Sequence, residues 1–244
     1  MDVINEDKLR YLAGKHGFNL IYLEKDYFLT IFLYLIRNID GLYFKGGTAL
    51  NKIFLDNLRL SEDLDFTART KIETLKKNIE NSIDKNIFYR LKIDHFTKDF
   101  IRYHIYFKSY FEKESFIMVD INKKASMHLK PEFYEVKNFY GLDFKVKTLN
   151  IDEIIAEKIR SLILRNQPRD YFDIYFVLKK YRVNRSLVNK KLKEVNATFD
   201  KERIFKNAQK IFSRWEKDLL PLTNRKISFI EVIKELKKNF GYKS

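Results

Sequence analysis

The sequence contains no cysteine, which rules out disulfides, thiolate metal sites and sulfur-based redox catalysis and fits a cytoplasmic protein. Glycine and proline are scarce, with seven and three in 244 residues, so a fibrous or low-complexity chain is excluded. Long apolar runs are missing as well. The run "YFLTIFLYLI", Tyr27 to Ile36, has ten residues, whereas a membrane-crossing helix needs roughly 20. The opening "MDVINEDKLR" places acids and bases where a secretory signal would carry its apolar centre, so no membrane association is expected. No internal repeat and no proline-rich linker divides the chain.

Positive charge is plentiful: 48 Lys and Arg stand against 33 Asp and Glu, a formal net charge of +15. Such an excess favours contact with a phosphate backbone, although a lysine-rich surface also accompanies heat adaptation. With 45% apolar residues, a sizeable core can form.

The periodicities define three regions and predict an α+β fold. Up to about Asn38 the pattern is helical, with Asn5 as a cap, Gly14 and Gly17 as stops, and "EKDYFLTIFLYLIRN" as an apolar second helix. From about Gly41 to Lys147, short strands alternate with helices. "LYFKG", "DLDFTA", "FYRLKIDHF", "IRYHIYFKS" and "SFIMVDINK" form a small mixed sheet, while "TALNKIFLDN" and "KIETLKKNIENSID" are helices. Beyond that the chain is helical. Asn150 with Glu153 makes a capping box, Pro168 opens the next helix, and three more helical stretches follow near Arg185–Val195, Glu202–Asp218 and Ser228–Asn239. The expected division is residues 1–148 for a catalytic domain and 149–244 for a helical bundle.

The chemistry centres on "YFKGGTALNKIFLDNLRLSEDLDF". In a strand, residues two apart share a face, so Asp63 and Asp65 project side by side while Leu64 and Phe66 enter the core. Magnesium uses one or two carboxylates together with substrate phosphates. An isolated D-x-D is more often a pair of surface acids. The upstream turn shifts that balance: Gly46 and Gly47 let the main chain approach a ligand, and Thr48 opens a helix whose N–H groups favour phosphate. Asp120, at the end of an apolar strand, is the best third acid for a second magnesium ion or for the attacking hydroxyl. Glu112, Glu114, Asp94 and Asp99 lie in polar surroundings and are weaker candidates. Walker-type loops, dinucleotide fingerprints and kinase signatures are absent. His16, His95, His104 and His128 lack zinc spacing.

"KGGTAL" followed by "LRLSEDLDF", and later "DEIIAEKIRSLILRNQPRDYFDIYFV", resemble the AbiEii/AbiGii-type nucleotidyltransferase toxins of the polymerase-beta-like superfamily. The resemblance spans most of the chain except its last 60 residues or so. It implies transfer of a nucleoside monophosphate from a nucleoside triphosphate (NTP) to an acceptor, with pyrophosphate leaving. It also implies a toxin of a toxin–antitoxin or phage-defence locus, a cognate antitoxin, and RNA, transfer RNA above all, as acceptor. Carried onto this sequence, Gly47 and Thr48 hold the triphosphate, Asp63 and Asp65 bind magnesium, and Ser61 belongs to the first motif. The glycine turn reads G-G-T where the wider superfamily has G-S. In the helical region Lys158, set among Ile154, Ile155, Ile159 and Leu162, is placed to offset triphosphate charge. Asp170 and Asp173, one helical turn apart, either orient Lys158 or touch the nucleotide. Ordinary surface ion pairs are the plainer explanation of these charges. Two other functions fit the same residues: an enzyme that adds AMP to a protein hydroxyl, and a non-catalytic basic nucleic-acid-binding module.

Overall fold

The computed structural model describes residues 3–206 and 208–242. The chain divides into two compact units, Met1–Leu149 and Asn150–Ser244.

The first unit opens with helices α1 (Glu6–His16) and α2 (Leu20–Ile36). The Asn5 side chain accepts from Lys8 N at 3.0 Å and caps α1. Gly14, expected as a stop, lies inside α1; the helix ends at Gly17, whose φ of 68° is the left-handed conformation that terminates helices. Asn19 caps α2, and its buried length includes Leu29, Ile31, Phe32 and Leu33, all 0% exposed.

A seven-stranded sheet follows, in the order β3-β4-β5-β2-β1-β7-β6. Its strands are β1 (Leu42–Lys45), β2 (Asp63–Ala68), β3 (Phe88–Thr97), β4 (Phe100–Phe107), β5 (Ser115–Asn122), β6 (Glu132–Glu135) and β7 (Lys145–Thr148). The sheet is mixed: β2 runs parallel to β5 and β1 parallel to β7, while the other neighbours are antiparallel. The strands β6 and β7 were not foreseen; "EFYE" and "KVKT" are too short and too polar to show a period of two. One face of the sheet is apolar. Leu64, Phe66, Val119, Ile121, Ile101 and Tyr103 are buried there, and α2 packs on β2 and β5. The helix α4 (Ile72–Ser82) follows β2, burying Ile72, Leu75 and Ile79.

The second unit is helical: α5 (Ile151–Leu164), α6 (Pro168–Lys180), α7 (Arg185–Lys193), α8 (Lys201–Phe205), α9 (Ala208–Leu219) and α10 (Phe229–Phe240). The stretch expected as one helix from Glu202 to Asp218 is two, and Asn207 between them lies outside the described residues. Asn150 does cap α5, accepting from Asp152 N at 3.0 Å. Glu153 points inward, where its carboxylate meets Lys191 at 2.6 Å. No helix among the described residues is long and apolar enough to cross a membrane.

Candidate active site

The glycine turn joins β1 to the helix α3 (Gly46–Ala49), which continues into a π-helical turn over Leu50–Phe54. The helix therefore begins two residues before Thr48, the expected start. Gly46 has φ of 78°, and a Cβ there would lie 2.2 Å from Asp65 Oδ2 and 2.8 Å from Asp65 Cβ. No L side chain fits. The turn and the acid strand are in direct contact because the missing Cβ leaves room for the carboxylate. No side chain among the described residues caps α3, and the first N–H groups of any helix lack partners within it. Replacing Gly46 with alanine forces the Asp65 carboxylate to move and strains the backbone, so activity should fall by about 10-fold or more for a stability cost of roughly 1–3 kcal/mol. Initial rates compared with the melting temperature would check this; unchanged rates would show that the contact has no functional weight.

Asp63 and Asp65 share the half-buried face of β2, with Leu64 and Phe66 at 0% and 1% exposure on the other. The Asp63 carboxylate has no hydrogen-bond or ion-pair partner among the described residues. Thr48 behaves differently from expectation. Its hydroxyl donates to the Asp63 carbonyl at 2.6 Å, tying the helix start to the start of β2, and so it is engaged inside the protein. Ser61 is 1% exposed with a hydroxyl that has no partner among the described residues, while its N–H donates to Asp26 Oδ1 at 3.1 Å.

The register places Lys45 opposite Asp65, Asp65 beside Asp120, and Asp120 opposite Arg102. Residues so paired lie on one face, giving a row across β1, β2, β5 and β4 in which two adjacent acids are flanked by a cation at each end. Asp120 is thus next to Asp65, but both its oxygens accept from Arg102, Oδ1 at 2.7 Å and Oδ2 at 2.6 Å. Those hydrogen bonds raise the Arg102 guanidinium above its ordinary pKa, against the opposing effect of burial. As a third metal ligand Asp120 would have to exchange with Arg102, and no group of three or more acids and histidines among the described residues is arranged to hold an ion. Asp63 and Asp65 would hold one magnesium ion with phosphate oxygens completing its shell, while Asp120, the acid expected at a second ion, is engaged by Arg102.

In the second unit Lys158 is 5% exposed, and Asp170 and Asp173 are fully buried. Its ammonium lies 3.1 Å from Asp170 Oδ1 and 3.0 Å from Asp173 Oδ2. Arg165 adds two hydrogen bonds to Asp170, both at 2.8 Å. Burial alone would raise the Asp170 pKa, but Lys158 and Arg165 outweigh it and hold the carboxyl below its ordinary value. The lysine expected to meet a triphosphate is thus closed in by two carboxylates of its own unit.

Three polar residues near the glycine turn escaped the sequence reading. Asp26 of α2 and Lys52 of the π-helical turn are each 1% exposed, and Lys52 Nζ sits 2.6 Å from Asp26 Oδ2. The Tyr140 hydroxyl lies 2.9 Å from the same oxygen. A lysine among apolar neighbours in "TALNKIF" was the available signal.

No curated protein sequence matches the chain. Among solved structures it is similar to MenT4, a nucleotidyltransferase toxin from Mycobacterium tuberculosis H37Rv, with 18% identity over 98% of this chain and 89% of that one and a TM-score of 0.72. It is also similar to JHP933 from Helicobacter pylori, with 22% identity over 90% of both chains and a TM-score of 0.63. These likenesses concern the fold, an α+β architecture with a mixed sheet and flanking helices. A family model described as "Nucleotidyl transferase AbiEii toxin, Type IV TA system" matches residues 31–238, and with the glycine turn packed against the D-x-D strand, the chain belongs to the AbiEii family of nucleotidyltransferase toxins.

Proposed function

We propose that this nucleotidyltransferase moves a nucleoside monophosphate from an NTP to a hydroxyl of RNA, with transfer RNA as the first acceptor to test. The contact of Gly46 with Asp65 carries the reading, because it brings a bare main-chain turn and a carboxylate to one place. Magnesium bound by Asp63 and Asp65 would supply charge neutralisation at the phosphates. The residues of the chain do the rest. The N–H groups opening α3 attract anions, Asp63 and Asp65 would hold the ion beside the phosphates, and Asp120, with Arg102 as its counter-charge, sets the field beside them. The acceptor hydroxyl attacks the alpha phosphorus in line, its proton leaves to solvent or to a nearby base, and pyrophosphate departs.

RNA is favoured by where the charge lies. Residues 150–244 hold 23 of the 48 basic and 12 of the 33 acidic residues, a net +11 of the total +15. Within that unit a cavity of about 500 Å³ has Arg182, Arg185 and Lys201 around an apolar floor of Leu178, Val188 and Phe240, and no acid among the described residues lines it. Cations over apolar surface suit a strand that presents both phosphates and bases. If Arg182 and Arg185 contact phosphates, the double change R182E/R185E should flatten the slope of log affinity against log salt by about 1.4 to 1.8. Fluorescence anisotropy with labelled transfer RNA measures it, and an unchanged slope removes those arginines from the interface.

The decisive assay incubates the protein with alpha-labelled NTPs, magnesium and either total transfer RNA or cell protein. Label on RNA, abolished by chelator, is the expected result. Label on protein would establish the AMP-adding alternative, and label on neither would overturn the proposal. The family's role in toxin–antitoxin systems makes a cognate antitoxin an expected protein partner, and the NTP supply of the cytoplasm suits the reaction.

A further inference from the structure

One carboxylate reaches both halves of the candidate site. Asp26, on α2, accepts from Lys52 Nζ at 2.6 Å through Oδ2 and from Ser61 N at 3.1 Å through Oδ1. Lys52 belongs to the π-helical turn that continues directly from the glycine turn, and Ser61 stands two residues before Asp63. The π geometry is visible in the Leu55 N to Leu50 O hydrogen bond at 3.0 Å. Inserted π turns re-aim side chains and collect at functional sites. Tyr140 closes the cluster: its hydroxyl is 2.9 Å from Asp26 Oδ2 and 3.1 Å from Leu23 O. Burial, then the neighbouring Asp26 charge, push the Tyr140 pKa well above its ordinary value, so it stays a neutral donor.

We infer that Asp26 and Lys52 form a positioning clasp that fixes the glycine turn and the D-x-D strand at the separation an NTP requires. This rests on the nucleotidyltransferase reading above. Burying a charge pair is a poor way to gain stability, since well-packed neutral groups often do as well. It is a good way to fix distance, because a 2.6 Å charge-assisted contact in a dry interior tolerates little drift. The two oxygens of Asp26 take one contact each: one holds the helix that carries Gly46 and Gly47, the other the segment that delivers Asp63. A misplacement of about 1 Å can cost on the order of 10²-fold in rate.

The test compares D26N, K52M and the double variant D26N/K52M. Each single change strands one buried charge or turns an amide toward the lysine, so both should lower the melting temperature. In the double variant the introduced thioether chain fills the space of the lysine stem. The introduced amide keeps an oxygen for Ser61 N and offers its NH₂ to the Tyr140 oxygen, so stability should return. Binding of a non-hydrolysable NTP with magnesium, measured calorimetrically well below the melting temperature and without acceptor, is the readout. The expected result is recovered melting with binding weakened at least 10-fold, together with a raised KM for NTP and an unchanged KM for acceptor. Wild-type affinity in the well-folded double variant would overturn the clasp. Should the double variant not fold, Tyr140→Phe, which removes one hydrogen bond from Asp26 and leaves both charges, replaces it: two- to five-fold weaker binding supports the clasp and unchanged binding refutes it. A wild-type protein that binds no NTP would sink the nucleotidyl-transfer reading, an outcome distinct from equal binding by wild type and variant.

Discussion

Replacing Asp63 with alanine should lower nucleotidyl transfer by about 10²-fold or more, roughly 2.7 kcal/mol of barrier, and leave the protein folded. Few site residues separate function from stability so cleanly. The Asp63 carboxylate has no protein partner among the described residues, so its removal strands no charge and breaks no ion pair. What remains is a strand-propensity change of at most about 1 kcal/mol. The hydroxyl of Thr48 bonds the Asp63 main-chain carbonyl, a contact that alanine keeps. Asp65 is a less clean probe, because Gly46 packs on it. Alpha-labelled NTP assays at saturating magnesium, with circular dichroism melts of the same preparation, make the measurement. Near-full labelling by a folded Asp63→Ala protein would refute the metal assignment, and a collapse in melting temperature would show that the acid is structural.

The same residues show what a linear sequence can disclose. Asp63 and Asp65 could be put on one face because a strand's period is two and the partners needed are only two residues apart. The glycine turn was legible for the same reason, since its meaning depends on adjacent residues. The partner of Asp120 was not. Arg102 meets it because β4 and β5 pair in one particular register, and a slip of one residue would send Arg102 to the opposite face. Nothing local in "IRYHIYFKS" fixes that register. Asp26 and Lys52 lie 26 residues apart, and every residue of the π turn that carries Lys52 is buried, an all-round enclosure that helical periodicity cannot foretell. Lys158 stands between these cases. Its spacing from Asp170 and Asp173 was visible, but the completeness of burial came from how α5 and α6 pack.

Lys158→Ala should destabilise the protein by about 3–5 kcal/mol, because it leaves two fully buried carboxylates without the ammonium that compensates them. For a chain of this size that is a fall of roughly 6–20 °C in melting temperature. The pH dependence distinguishes this cause from a generic packing loss. In the wild type the folded pKa of Asp170 is depressed, so its contribution is fully present above the ordinary carboxylate pKa of about 3.9 and is lost as pH falls through the depressed value. In the variant Asp170 keeps Arg165 but loses Lys158, so burial is offset less and its folded pKa rises relative to the wild type. Protonation then costs the variant less than the wild type, so the gap in melting temperature should narrow as pH falls into the carboxylate range. Lys158→Met, which keeps the aliphatic stem, should show the same narrowing with a smaller constant loss. A variant that melts with the wild type yet loses transfer would instead free Lys158 from the structural role its carboxylates suggest, and would point its charge at the triphosphate. Because burial and ion pairing act in opposite directions on the same carboxyl, the pH series tells an ion-pair lock from a packing loss, and the transfer assay tells a lock from a catalyst.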